Sequence, residues 1–461
     1  MQLELPYSFL NSLQTVKGFD RNNFIEAHTL NKPVTSIRLN PAKLKNAKDD
    51  SFLASLLDEK VPWSKNGYYL KGRPSFTLDP WFHAGAYYVQ EASSMFLEQA
   101  LEQCLPKNIP LRILDLCAAP GGKSTHIQSV ISPESLLVSN EVIKPRVNIL
   151  TENITKWGAC NVVVTNNDPK DFNRLPHFFD CIVVDAPCSG SGLFRKDPDA
   201  VTGWSLQAVN HCSQRQQRIL ADVMGALKPG GILIYSTCSY SYEENELISD
   251  WICESGEFTG MPVNPSQLNG IIETKSNLSK SPGYRFYPDK LKGEGFYISV
   301  FKKKGEANLL HEFKIKNKPE LVSKSAQQIL AAYFTHKNYF NFLKWQDDIL
   351  AIPAPLFNAV LYLQQNLYIK KAGINMGQLI RDQLIPSHDL VLSKAMAPVL
   401  PLVKVNEQTA LDFLRKKEIH IEASHKGWSI LQYKGLPLGL IKILQGRINN
   451  YYPAAWRILN K

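Results

Sequence analysis

From about residue 111 to 304 the chain alternates apolar, β-rich runs with amphipathic stretches: RILDLCAAP, SLLVSNE, NVVVTNND, FFDCIVVDAP, GGILIYSTCSY and finally GEGFYISVFKK. Strands separated by helices in this way predict a parallel, doubly wound α/β sheet, which binds ligands beyond the carboxyl ends of its strands. Residues 1–105 read differently, with helical patches, short strands such as VTSIRLN, and an aromatic segment, WFHAGAYYVQEASSMFLEQAL, that closes on a helix. The stretch from Glu254 to Lys290, rich in Ser, Asn, Pro and Gly, interrupts the alternation and reads as a long excursion before the closing strand, of the kind that shapes a substrate cleft. After Lys302-Lys303-Lys304-Gly305 a helical stretch is predicted to about Ser393, followed by a short β-rich tail, WSILQYKGLPLGLIKIL. Four regions result: 1–105, 106–304, a helical accessory region over 305–395, and 396–461. No internal repeat or low-complexity tract interrupts them.

Composition narrows the class without deciding it. At 461 residues the chain suits about three compact domains of roughly 150 residues each, and 44% hydrophobic content fits a globular protein. No stretch approaches the roughly 20 apolar residues of a membrane-spanning helix. The opening MQLELPYSFLNSLQ lacks the basic segment and apolar run of a signal peptide, so a cytoplasmic location without membrane contact is expected. The net charge of +10 shifts the odds slightly toward a polyanionic partner. All eight cysteines lie between Cys104 and Cys253, and no pair has C-x-x-C spacing, so neither a metal site, a redox dithiol nor a disulfide is expected. The oligomeric state is not written in the sequence; a monomer is the expectation.

The first strand, RILDL, runs into Cys117, Ala118, Ala119, Pro120, Gly121, Gly122 and Lys123 and then into a helix. A triphosphate-binding loop would need glycine where Cys117 stands, and the G-x-G-x-x-G of a dinucleotide fold is absent. The two glycines still let the backbone approach a ligand closely, which suits the methionine moiety of S-adenosyl-L-methionine. Glu141, after LLVSN, is placed to accept from two ribose hydroxyls, and Asp168, after VVVTNN, could take the adenine amino group. Either acid alone could equally be a surface loop residue, and Lys123 could be an exposed first-turn residue, although a cation sits unfavourably at a helix N-terminus.

Strand CIVVD ends in Asp185-Ala-Pro-Cys188-Ser-Gly190, and strand ILIYS ends in Thr237-Cys238-Ser-Tyr240, which directs both thiols toward one cleft. Free cysteine is more often a small apolar filler, and that reading is kept for Cys104, Cys160, Cys181, Cys212 and Cys253. Methylating cytosine at carbon 5 needs a soft nucleophile to add at carbon 6, an acid or hydrogen-bond donor near ring nitrogen 3, and a group to remove the carbon 5 proton. A cysteine thiolate, Asp185 and a second thiol at Cys188 would meet these needs.

Together, Cys117 to Lys123, Asp185 to Gly190 and Ser236-Thr-Cys-Ser-Tyr240 resemble the motifs of the Nop/Sun family of RNA cytosine-5 methyltransferases; Asn140-Glu141, Glu243-Glu244-Asn245 and Gly293-Glu-Gly-Phe296 match further patterns. Thr35 to Asn40 and Tyr88 to Met95 resemble its N-terminal RNA-binding extension. The resemblance implies S-adenosyl-L-methionine as cofactor, Cys238 as nucleophile, and Cys188 in product release. It also implies cofactor contacts from Cys117 to Lys123, Glu141, Asp168 and Asp185, with Lys123 and Asp185 assisting at the cytosine. Gly435 to Gly439, Arg447 to Pro453 and Arg457 resemble the PUA-like tail of bacterial RsmF-type enzymes, which act on small-subunit ribosomal RNA. Where that tail carries Lys-Asn-His-Tyr-Pro-Lys-Gly, this chain has Asn449-Asn-Tyr-Tyr-Pro-Ala-Ala455, lacking two basic residues and a histidine. Tyr451, Tyr452 and Trp456 could pack a small core or stack on bases. A transfer-RNA methyltransferase of the same chemistry and a non-catalytic, RNA-binding ribosome-assembly factor remain alternatives at this point.

Overall fold

A computed structural model describes residues 4–30, 34–44, 51–265, 269–306, 314–316, 318–422 and 425–459. Its centre is a ten-stranded sheet. Five strands, Leu227–Thr237, Phe179–Asp185, Arg112–Asp115, Leu136–Asn140 and Val162–Thr165, lie side by side in that order and run parallel. Their side chains alternate between two cores: Leu114, Val138, Val163 and Ile182 face one, while Ile113, Leu137, Val164 and Val183 face the other. A strand buried on both faces has no polar side to show, which is why these segments read as continuous apolar runs. Helices Gly122–Val130 and Lys144–Trp157 cover one face, and Leu206–Val223 and Glu246–Glu254 the other.

The sheet is mixed rather than wholly parallel. Phe296–Lys303 pairs antiparallel with Leu227–Thr237, and outside it the excursion contributes Phe258–Met261, Ile272–Lys275 and Pro282–Phe286 as strands. At the sheet edge Ile272–Lys275 has a single buried residue, Thr274, which masked its β pattern.

The helical reading of 305–395 is corrected by the structure, of which residues 307–313 and 317 lie outside the described set. Phe340–Trp345, Asp348–Pro353, Ile374–Ile380 and Gln383–Pro386 form a four-stranded sheet, and Ile369–Ala372 joins the free edge of the central sheet beside Val162–Thr165. Short alternating strands such as FNFLKW carry too few apolar positions to be distinguished from helix segments by periodicity alone.

Residues 402–450 hold a third unit, strands Leu402–Val405, Gly427–Tyr433, Leu436–Leu444 and Arg447–Asn450, with helix Glu407–Leu414. It shares one core with the N-terminal region, where strands Ser36–Leu39, Leu57–Lys60, Gly67–Leu70 and Tyr87–Val89 form a small sheet beside helix Pro80–His83: Ile37, Trp81 and Tyr87 pack with Phe413, Leu438, Ile441 and Tyr452. The two ends of the chain therefore stabilise each other. Among the described residues no helix is long and apolar enough to cross a membrane.

Candidate active site

The turn after Arg112–Asp115 is fixed by backbone pairing to its neighbours: Leu116 N–H donates to Val183 O (3.0 Å) and Ala118 N–H to Asn140 O (2.8 Å). Gly121, at φ 118°, caps the following helix in a conformation that a side chain would strain. Asn140 ties three strand ends together. Its amide donates to Leu116 O (3.2 Å) and Asn167 O (3.0 Å), and its oxygen accepts from the Thr165 hydroxyl (2.8 Å) and Asn167 N–H (3.0 Å). From the N-terminal sheet, buried Arg38 donates to Thr125 Oγ1 (2.6 Å) and Gly122 O (3.3 Å), securing the helix that carries the turn. Beneath it Asp115 accepts from Ser124 (2.6 Å) through one oxygen while the other is buried without a partner; burial pushes this acid up to about 7.

Beside the turn opens a cleft of about 190 Å³, lined by Cys117, Glu141, Val142, Ile143, Arg146 and Asp168 among others. Glu141 is 3% exposed; it accepts from Ile143 N–H (2.9 Å) and faces Arg146 at 3.4 Å. Asp168 lines the cleft and also caps the short helix Pro169–Arg174, accepting from Lys170 N–H (3.2 Å), which gives it a structural role of its own. Arg146, which sequence reasoning missed, donates to Ala119 O (2.6 Å). Cys117 at the head of the glycine turn, two carboxylates and apolar Val142 and Ile143 line one cleft, a lining that fits an adenosyl ligand.

Across the turn, register brings the two thiols together. Asp185 pairs with Ser236 on the neighbouring parallel strand, so the loops after each strand leave side by side, and Cys188 Sγ lies 3.1 Å from Cys238 Sγ, both as free thiols. Glu244 joins the loops by accepting from Ser189 N–H (2.7 Å), Ser189 Oγ (2.5 Å) and Ser239 Oγ (2.6 Å). Asn245 adds bonds to Thr237 Oγ1 (2.6 Å) and Ser239 O (2.8 Å). Gly192 N–H donates to Cys238 O (2.8 Å), and a Cβ there would stand 2.5 Å from Gly295 O, so only glycine allows this approach. The sequence showed Glu243-Glu244-Asn245 as a pattern; that it clamps both thiol loops is visible only in the fold.

Lys123 points inward at 12% side-chain exposure, against the exposed alternative, and pairs with Asp185 at 2.7 Å. Ser236 donates to the other Asp185 oxygen (2.9 Å). Burial opposes the lysine charge, but Asp185, with smaller contributions from Asp115 and Cys238, outweighs it and raises the Lys123 pKa. The Cys188 thiol is pushed well up, first by its hydrogen bond to Cys238 and then by burial. Of the remaining cysteines, Cys181 is buried in a sheet core, and Cys104, Cys160 and Cys253 pack against cores from their edges.

Comparison with known proteins matches residues 104–302 to 16S rRNA methyltransferase RsmB/F, 5–92 to the N-terminal domain of 16S rRNA methyltransferase RsmF, and 401–458 to the RsmF PUA domain. The chain belongs to the RsmB/F family of 16S rRNA methyltransferases. This family methylates cytosine at carbon 5 and depends on S-adenosyl-L-methionine. Among relatives, Ribosomal RNA small subunit methyltransferase F of Pectobacterium atrosepticum is 28% identical, covering 97% of this chain and 95% of its own length. The protein of the same name from Shewanella loihica is 29% identical, with coverages of 91% and 88%. A methyltransferase homologue from Pyrococcus horikoshii superposes with a TM-score of 0.52 at 28% identity, covering 65% of this chain and all of that one. NSun6 from the same organism shares the fold, with a TM-score of 0.54 at 21% identity over 65% and 99%.

Proposed function

We propose that this protein methylates a cytosine of 16S ribosomal RNA through a covalent adduct between Cys238 and carbon 6 of the base. The approach of two free thiols at the ends of adjacent parallel strands carries this reading. Lys123 places a positive charge within electrostatic reach of the Cys238 sulfur. Asp185, held between Lys123 and Ser236, orients the charged donor toward ring nitrogen 3, where electron density collects when the thiolate adds. The S-adenosyl-L-methionine held by Cys117 to Lys123, Glu141 and Asp168 supplies an electrophilic methyl group when bound. Cys188, 3.1 Å from Cys238, gives its own proton to solvent water, accepts the carbon 5 proton as a thiolate, and so lets the Cys238 sulfur leave as a thiolate.

The target cytosine has to leave its stack to reach Cys238, so a loop or a locally opened helix is the substrate form. The protein acts as a monomer in the cytoplasm on ribosomal RNA or on an assembling small subunit. Bisulfite sequencing of 16S rRNA and transfer RNA from a deletion strain tests the substrate: one 16S cytosine should lose its methyl group, and loss confined to transfer RNA would overturn the assignment. Binding to 16S rRNA should weaken steeply with added salt, because a basic protein releases counterions when it neutralises phosphates.

A further inference from the structure

The aromatic residues of the tail do not act as one group. Tyr452 is 1% exposed and lies within 3.3 Å of His83, in the core shared with the N-terminal sheet. Tyr451 is 42% exposed against Trp428. Trp456 packs against that core from outside and also lines a cleft of about 380 Å³ at the meeting point of three parts of the chain: Thr151 and Thr155 from the Lys144–Trp157 helix, Trp345, Asp348 and Lys370 from the middle region, and Trp456 from the end. That volume falls within the roughly 300–1,000 Å³ of clefts that take small planar ligands.

Two half-buried tryptophans from separate units line one cleft: Trp345 offers a flat face of the kind on which nucleobases stack, and Trp456, with Lys156 Nζ 5.6 Å from its ring centroid, forms the facing wall. Deeper in, Lys371 is neutralised by Asp389, and Asp348 accepts from Asn375 (2.7 Å), which leaves a carboxylate able to receive a base amino group. Lys370 is exposed at the rim, 5.0 Å from the ring of Tyr368, itself 58% exposed. A cation and an aromatic face outside a polar, aromatic slot match a phosphate and the next base of a single strand. The slot is also fixed relative to the donor cleft: Ile369–Ala372 is a strand of the catalytic sheet, and Tyr368 exchanges two backbone hydrogen bonds of 3.0 Å with the side chain of Asn167, the neighbour of Asp168.

We propose that this cleft binds an unpaired nucleotide of the RNA substrate at a distance from the target cytosine, with its base against Trp345 and Trp456 and its phosphate on Lys370. The proposal rests on the RNA-methylating reading above. The test uses the full-length protein with a 16S rRNA transcript, comparing Trp345→Ala, Trp345→Phe and Lys370→Glu with the wild type. Trp345→Ala should weaken RNA binding and raise KM by roughly tenfold with kcat little changed. Trp345→Phe should restore most of the loss, and Lys370→Glu, at an exposed position that does not threaten folding, should also raise KM. Donor affinity by calorimetry should match the wild type in all three. Unchanged RNA affinity and KM in both Trp345→Ala and Lys370→Glu would overturn the proposal, as would a Trp345→Phe variant no better than Trp345→Ala. A wild type that fails to methylate 16S rRNA would instead overturn the function on which it rests.

Discussion

The donor cleft and the thiol pair occupy the same edge of one sheet, yet they are held in different ways. On the donor side a neutral amide, Asn140, links the ends of three strands through four hydrogen bonds of 2.8–3.2 Å. On the thiol side a carboxylate, Glu244, joins two loops, and burial raises its pKa above the usual carboxylate value. An amide holds its partners at any pH, whereas a buried carboxylate is a charge in a low-dielectric site and needs its donors to remain there. The proposed donor cleft is thus held by a neutral amide, and the two thiol loops by a buried carboxylate.

The largest expected effect breaks the thiol side alone. Cys238→Ala should abolish methyl transfer and form no adduct, whereas Cys188→Ala should methylate but remain bonded to its RNA. A denaturing gel with a radiolabelled methyl donor would show a slow band only for Cys188→Ala, and the reverse pattern would exchange the two roles. Next, Glu244→Gln should lower kcat by about 10²-fold by misplacing the sulfurs while leaving donor affinity intact. Parallel loss of donor binding would mean that the two clamps are one unit.

On the donor side, Glu141→Ala and Asp168→Ala should each weaken donor binding by roughly 1–3 kcal/mol, with the Cys188→Ala trapping phenotype preserved when tested in combination. Calorimetry measures this directly, and unchanged affinity in both would remove these acids from the site.

The smallest effect concerns pH and touches both sides. Buried Glu294, next to the Gly295–Gly192 contact, has its pKa raised by burial from 4.5 to about 7, and Asp115 under the donor turn is raised from 3.8 to about 7. Each folded-state pKa lies above the unfolded value, so the stability each group contributes is complete below its unfolded pKa and is lost as pH rises through about 7. Melting temperature should therefore fall by a few degrees between pH 6 and 8, less so in Glu294→Gln. A flat profile in the wild type would refute the raised values.

The tail offers a contrast in how much can be read in advance. Removing residues 396–461 looks, from sequence, like a clean way to separate RNA binding from cofactor binding. The structure makes that truncation destructive, because Phe413, Leu438 and Tyr452 fill a core with Ile37, Trp81 and Tyr87. Point variants in the Trp345 cleft are the sound alternative.

By itself the sequence determined the parallel heart of the sheet, the glycine turn, and which residues of chemical interest stand at which strand ends. Those features are local: a both-face-buried strand must be apolar throughout, and a turn that admits a ligand to the backbone must carry glycine. It left the middle region misread as helical and the polar edge strands unseen, since an edge strand meets solvent and its pattern is weak. Only the tertiary structure decided that Cys188 and Cys238 lie 3.1 Å apart, that Lys123 turns inward to Asp185, and that Asn140 and Glu244 each gather several loops. Such contacts join residues about 25 to 60 positions apart, through a strand register that no local pattern encodes.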